Sequence, residues 1–299
     1  MVVNIMKKRG TPMKKYIQPA LIANAASLGF HWIYDMDFLE ELAKKQSLVF
    51  QLPSIEHYAQ AKPSFFAYPY AKIGDVTTQG MYLKWLYEAV KGNPEFSMED
   101  YRNLIFEQTK PGGPYIGYIE TYNHTLIINA MSSKLRLNLP PLPVSDDHLV
   151  GFVPYLVSKE LGLGNDYAWS LAQLFTDKAE YRQFFDMFDY IFENIARLPR
   201  KELLTNAIEL APESYREKLS MALTMEETRD FIKQYAGIAC HIPQSVPLIF
   251  RILNQCESYQ DMVGTNVRLG GASGERAMLL GAIFAQVSEI PENWVEKIK

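Results

Sequence analysis

The feature that most constrains this 299-residue chain is apolar spacing that follows the period of a helix almost everywhere and the period of a strand nowhere. It is clearest from Tyr181 to Ala196, where Tyr181, Phe184, Phe185, Phe188, Ile191, Phe192 and Ile195 fall at i, i+3, i+4 and i+7 positions. Similar patterns recur at about 17–29, 36–45, 76–91, 98–108, 115–135, 147–162, 166–174, 201–210, 213–221, 225–236, 245–255, 258–267 and 273–287. No segment alternates apolar and polar residues between hairpin turns. An all-α fold follows. Breakers separate the patterns: Pro53, Lys62-Pro63, Tyr68-Pro69, Lys110-Pro-Gly-Gly-Pro114, Leu139-Pro-Pro-Leu-Pro143, Leu198-Pro199 and His241-Ile-Pro243. None is long enough for a flexible interdomain linker, so the expectation is an N-terminal tail, 1–16, followed by a single compact helical domain, 17–299.

Several classes fall away on charge and cysteine usage. Thirty Lys and Arg are balanced by thirty-four Asp and Glu without a basic stripe, which argues against a nucleic-acid partner. Every apolar run is interrupted well before the ~18–20 residues that cross a bilayer, so no membrane partner is expected. Cys240 and Cys256 form neither a CxxC nor a paired CxxC and HxxH spacing, which excludes a zinc finger or disulfide framework and points to a reducing, cytoplasmic compartment. Lys7, Lys8, Arg9, Lys14 and Lys15 precede Ala23-Asn24-Ala25, but the intervening apolar stretch, 16–22, contains Gln18 and Pro19 and is too short for a signal peptide.

Four places combine loop chemistry with polar side chains. At Leu28-Gly-Phe-His-Trp-Ile-Tyr-Asp35 a helix pattern stops at Gly29, and His31, Trp32 and Tyr34 either form a packed corner or face a base or ribose. At Ile73-Gly-Asp-Val-Thr-Thr78, Asp75 or Thr77 caps the next helix, or contributes an oxygen to a hydrated divalent cation. Ser145-Asp-Asp-His148 opens another helix; its acids complement the helix dipole or complete a cation or ribose site. The most informative is Val267-Arg-Leu-Gly-Gly-Ala-Ser-Gly-Glu-Arg276. Its glycines make an ordinary turn, or leave backbone N–H groups free at a helix start where Arg276 can join them on a phosphate. It is not a Walker A loop, which requires Lys-Ser/Thr after the second glycine.

From this block outward the chain resembles the ADP-ribosylglycohydrolase family, an all-helical group that includes J1-type crystallins. The resemblance rests on Cys240-His-Ile-Pro243, Gly270-Gly-Ala-Ser-Gly-Glu-Arg276, Leu280-Gly-Ala282 and Ile290-Pro-Glu-Asn-Trp294. Upstream it continues in Asn24-Ala-Ala-Ser-Leu-Gly29, His31-Trp-Ile-Tyr-Asp35, Gly74-Asp-Val-Thr77, Gly117-Tyr-Ile-Glu120 and Asp146-Asp147, in the family's order. The resemblance implies a pair of magnesium ions that activate water at the ribosyl C1 linkage. This chain departs from it: only Asp75 of an Asp-Asp-Thr segment is present, beside Val76, and Ala272 and Gly274 stand at later acidic positions, as Asn24 does in the first motif. The usual two-magnesium site is therefore not expected, with Asp75 the one residual metal-ligand candidate.

What the resemblance implies for function is a glycosidic hydrolase acting on a small-molecule or ADP-ribosylated substrate. Asp75 or Asp147 would be the general base, and His31, Trp32, Tyr34, His241, Gly270, Gly271 and Arg276 would bind ADP-ribose or a related nucleoside. The alternatives are a cleft that binds ADP-ribose without cleaving it, and a structural globule of the J1-crystallin kind.

Overall fold

The structure, a computed structural model, describes residues 15–93 and 95–298. Almost all of the expected tail, 1–16, lies outside the described residues, as do the basic residues weighed for a signal peptide, except Lys15. The helices run, in chain order, α1 Ile17–Ser27, α2 Met36–Ala43, α3 Ile55–Gln60, α4 Thr78–Gly92, α5 Met98–Thr109, α6 Thr121–Lys134, α7 Phe152–Leu161 and α8 Asn165–Ala172. They continue as α9 Glu180–Asn194, α10 Arg200–Leu210, α11 Glu213–Thr224, α12 Thr228–Tyr235, α13 Ile242–Gln255, α14 Tyr259–Leu269, α15 Ser273–Phe284 and α16 Glu292–Val295. Among the described residues there is no strand, only two isolated antiparallel bridges. The fold is all-α.

Two helices buried on nearly every side form the centre. In α15 every residue is buried, and in α1 all but Gln18 are, so these helices must be surrounded by others rather than lie on a surface. They pack on each other, and α14, α4, α7 and α13 pack around them. Gly281 permits the approach: a Cβ there would come within 2.7 Å of both Ala23 Cβ and Pro19 O. The exposed end of α1 is closed by Glu160 of α7, whose carboxylate accepts from the backbone N–H groups of Lys15, Tyr16 and Ile17 at 2.7–3.0 Å. That satisfies donors a helix start leaves orphaned and places a negative charge at the positive end of the dipole. The aromatic face expected on α9 is buried as a unit, with Phe185 stacked on Tyr155 at 4.9 Å and Phe184 edge-on to Tyr215.

Two expected helices begin later than their apolar spacing suggests, and both late starts shape the site. The 115–135 pattern becomes helical only at Thr121. Pro111 to Pro114 break the chain, and Thr78 then captures the following segment by donating to Tyr118 O at 2.7 Å and bonding the Tyr115 hydroxyl at 2.9 Å. The 147–162 pattern becomes α-helical only at Phe152, because 146–148 is extended and pairs with 240–242, and a 3-10 turn, Leu149–Gly151, follows it. There Leu149 N donates to Cys240 O at 3.0 Å and Ile242 N to Asp147 O at 2.8 Å.

Candidate active site

The first turn of α15 projects Glu275 into the protein interior, and the captured segment before α6 aims Glu120 toward the same place. Glu275 is 2% exposed and Glu120 7%. Neither Glu275 oxygen, nor Glu120 Oε1, has a hydrogen-bond partner among the described residues, and the buried Ser273 hydroxyl beside Glu275 in sequence has none either. Burial raises both carboxyls. Glu120 is held well above the usual carboxylate range by desolvation and then by the charges of Glu275 and Asp146. Glu275 is raised to about 7 by desolvation, which outweighs the opposing charges of His148 and Arg276. Burial and mutual repulsion both favour the protonated form of such a pair.

Two tyrosines, Tyr34 and Tyr118, feel the charges of both carboxyls, and Trp32 packs against one of them. Trp32 stacks on His31 at 4.7 Å between ring centroids and meets Tyr118 edge-on at 4.8 Å. Its backbone is left-handed, φ 68°, a costly conformation for a bulky residue, held by Trp32 N donating to Gly271 O at 2.8 Å. The Tyr34 hydroxyl is raised by burial and then by the charges of Cys240 and Glu275, which places it in the same electrostatic neighbourhood. Buried His31 accepts from Gly274 N at Nδ1, while its Nε2 has no partner among the described residues. Desolvation, and then the charge of Arg276, lowers it to about 3, so it is a neutral imidazole at physiological pH.

Beside the carboxyl pair lie two Asp–His pairs. His148 Nδ1 bonds Asp146, and His241 Nδ1 bonds Asp147 Oδ1 at 2.5 Å. The two imidazoles are 4.2 Å apart between centroids. Burial works against protonation of His148, but the Asp146 bond and the charges of Asp146, Glu275 and Asp147 together hold its pKa above the ordinary value.

The residues singled out from sequence separate into two groups. Tyr34 feels the charges of Glu275 and Glu120, His31 bonds Gly274 N next to Glu275, Trp32 stacks on His31, and His241 with Asp147 stands beside His148, which feels Glu275. Asp75 does not join them: its carboxylate accepts from Lys72 N at 2.8 Å, and it lines an outer pocket with Tyr70, Lys84 and Gly117. The expected phosphate cradle takes a different form. Gly271 N donates to Ile33 O, Ala272 N to Ile238 O, Ser273 N to Gly271 O and Gly274 N to His31, so these N–H groups are not free for an anion. Gly270 and Gly271, at φ 73° and 63°, instead let the turn thread between neighbouring backbones; a Cβ on Gly271 would lie 1.9 Å from Ile238 O. Arg276, fully buried, bonds Asn266 Oδ1 at 3.1 Å, Ile238 O at 2.9 Å and Gly270 O at 2.6 Å, clamping that turn rather than facing a phosphate.

The residues present do not fit a magnesium pair. Asn24 donates to Thr77 Oγ1 and Gly274 O and accepts from Thr77 N, all at 2.8 Å, a closed neutral network where carboxylates are expected. Val76 and Ala272 are buried and apolar, and a Cβ on Gly274 would meet Thr77 at 2.7 Å and His31 at 3.3 Å. At the positions where the resemblance implies metal ligands, Asp75 is the one carboxylate left, too few anionic ligands for two hard cations.

No family model matches this sequence, and no curated protein matches it. A solved structure described as an ADP-ribosylglycohydrolase-related protein complex superposes with a TM-score of 0.59 at 12% identity, over 96% of this chain and 94% of that one. The fold is thus of the ADP-ribosylglycohydrolase type over nearly its whole length.

Proposed function

We propose that this protein hydrolyses a glycosidic bond of ADP-ribose or a related nucleoside, with Glu120 and Glu275 as the reacting acids. The observation that carries the reading is the pair of buried, mutually interacting carboxyls with three oxygens lacking protein partners. Such a pair divides the labour of glycoside cleavage. The protonated member gives its proton to the leaving group, and the ionised member stabilises positive charge at the ribosyl carbon and takes a proton from the attacking water. Low local dielectric strengthens both interactions. The faces of Trp32, Tyr34 and Tyr118 supply a surface for a base or ribose. Asp147 acts through His241, and no step is assigned to Asp75 or to magnesium.

The closed Asn24–Thr77–Gly274 network favours one alternative, a site that binds ADP-ribose without cleaving it. A panel of ADP-ribosylated peptides and nucleosides, assayed by chromatography for released ADP-ribose or ribose in magnesium and in EDTA, separates the two. Turnover in EDTA that disappears in Glu275→Gln supports hydrolysis. Calorimetric binding of ADP-ribose with no turnover of any substrate supports the alternative, and neither binding nor turnover refutes both.

A further inference from the structure

We propose that His148, Cys240 and His241 form a binding site for a borderline-soft divalent metal ion of the zinc class, with Asp146 and Asp147 as the outer carboxylates that orient its imidazole ligands. One donor atom from each of the three lies within 4.8 Å of the other two. The edge of a tetrahedral zinc site with bonds of 2.0–2.3 Å is about 3.5 Å, so side-chain movements of about 1 Å close it. All three residues are half-buried, shielded from bulk water but reachable by an ion.

The arrangement around the donors is what distinguishes this cluster from a chance meeting of polar groups. Each imidazole bonds its own aspartate through Nδ1; with the proton on Nδ1, the Nε2 lone pair is the one open to a metal. A carboxylate behind a histidine is the usual outer shell of a metal-bound imidazole, where it orients the ring and raises its basicity. The backbone is fixed as well: His148 and His241 face each other in an antiparallel bridge, flanked by the Leu149–Cys240 and Ile242–Asp147 hydrogen bonds. His148 is further anchored by the Tyr181 hydroxyl, which donates to its carbonyl. A donor set of two nitrogens and a sulfur suits zinc, or cobalt in its place, and not magnesium, which takes oxygen; burial and the charges of Glu275 and Glu120 push the Cys240 thiol up, so the ion binds by displacing its proton. Three protein ligands leave a fourth position for water or substrate, as in catalytic rather than structural zinc sites. The inference draws on His241 and Asp147, which the hydrolytic reading also uses, but its test reads metal binding and not turnover, so either can fail without the other.

The test is titration of the chelator-treated full-length protein with Co²⁺ alone, followed by absorption. The expected result is one equivalent bound with a thiolate-to-cobalt charge-transfer band and intense visible bands of a four-coordinate ion, displaced by Zn²⁺. Cys240→Ser, with helicity verified by circular dichroism, is expected to lose the charge-transfer band, while Cys256→Ser keeps it. Asp147→Asn, which leaves all three ligands in place, is expected to weaken affinity by about 10–100-fold. Absence of the charge-transfer band at stoichiometric Co²⁺ in the wild-type protein, or its persistence in folded Cys240→Ser, overturns the proposal. If Cys240→Ser fails to fold, the decision falls to the wild-type band and the Asp147→Asn affinity, and an unchanged affinity in that variant counts against the site.

Discussion

Glu275→Gln is expected to make the protein inactive and, at alkaline pH, more stable. The wild-type carboxyl moves from its ordinary 4.5 to about 7 on folding, chiefly through burial. Between those values the folded state binds more protons than the unfolded state, so stability falls as pH rises. The full stability of the protonated form is present below about 4.5 and its loss is complete above about 7, amounting to about 3 kcal/mol. Glutamine fills nearly the same volume and does not titrate, so the variant escapes this loss. At about 2 °C per kcal/mol for a chain of this size, and with part of the loss already taken at pH 5, the gap between variant and wild type should widen in favour of the variant by about 5 °C on going from pH 5 to pH 8. The assay is a pair of thermal melts at each pH, with urea unfolding to obtain free energies. Glutamine's own unpaired amide shifts both values together, so the change in the gap is the diagnostic quantity. A gap that does not change with pH, or one that narrows as pH rises, would refute a buried, ionisable Glu275.

Four further outcomes follow from the same structure. Arg276→Ala leaves Asn266 Oδ1 and the buried Gly270 carbonyl without their donor and removes one of two donors to Ile238 O, so urea unfolding should show a loss of about 2–4 kcal/mol; a stable variant with weakened ADP-ribose affinity would instead restore a phosphate role. Gly281→Val forces side-chain atoms into Ala23 and Pro19 and should cost about 1–3 kcal/mol or more by the same measurement. Glu160→Ala removes the acceptor for three N–H groups at the start of α1, with an expected loss of about 1–2 kcal/mol in urea unfolding. Asp75→Asn should leave turnover within about twofold of wild type, because that carboxylate faces Lys72 N and the outer pocket.

The fold class was legible because periodicity is a local property, and the aromatic stripe of α9 is one that nearly any burying partner accepts. The site was legible in part. His31, Trp32, Tyr34, Asp147 and His241 stand out in sequence as polar or aromatic residues at breaks, and the structure links Tyr34 to both carboxyls and His31 to the turn that carries Glu275. Glu275 was hidden inside a motif read for its glycines and arginine, since a glutamate in a helix's first turn ordinarily complements the dipole at the surface. What turns it inward is the complete burial of α15, which no local signal conveys. Arg276 misled for a related reason: an arginine near a glycine turn suits a phosphate, and only the tertiary structure brings Ile238, Gly270 and Asn266 to its guanidinium. The cysteine spacing excluded a metal motif contiguous in sequence, whereas His148 reaches Cys240 and His241 across ninety-odd residues through a backbone bridge.

The most direct test of the central claim is chromatographic detection of ADP-ribose or ribose released from the ADP-ribosyl substrate panel, comparing the wild-type protein with Glu120→Gln, Glu275→Gln and Asp75→Asn in EDTA. The expected result is turnover by the wild type and Asp75→Asn, and its loss in both glutamine variants with their folds intact. Turnover that survives in Glu120→Gln and Glu275→Gln but disappears in Asp75→Asn would contradict the account and move the chemistry to the outer pocket.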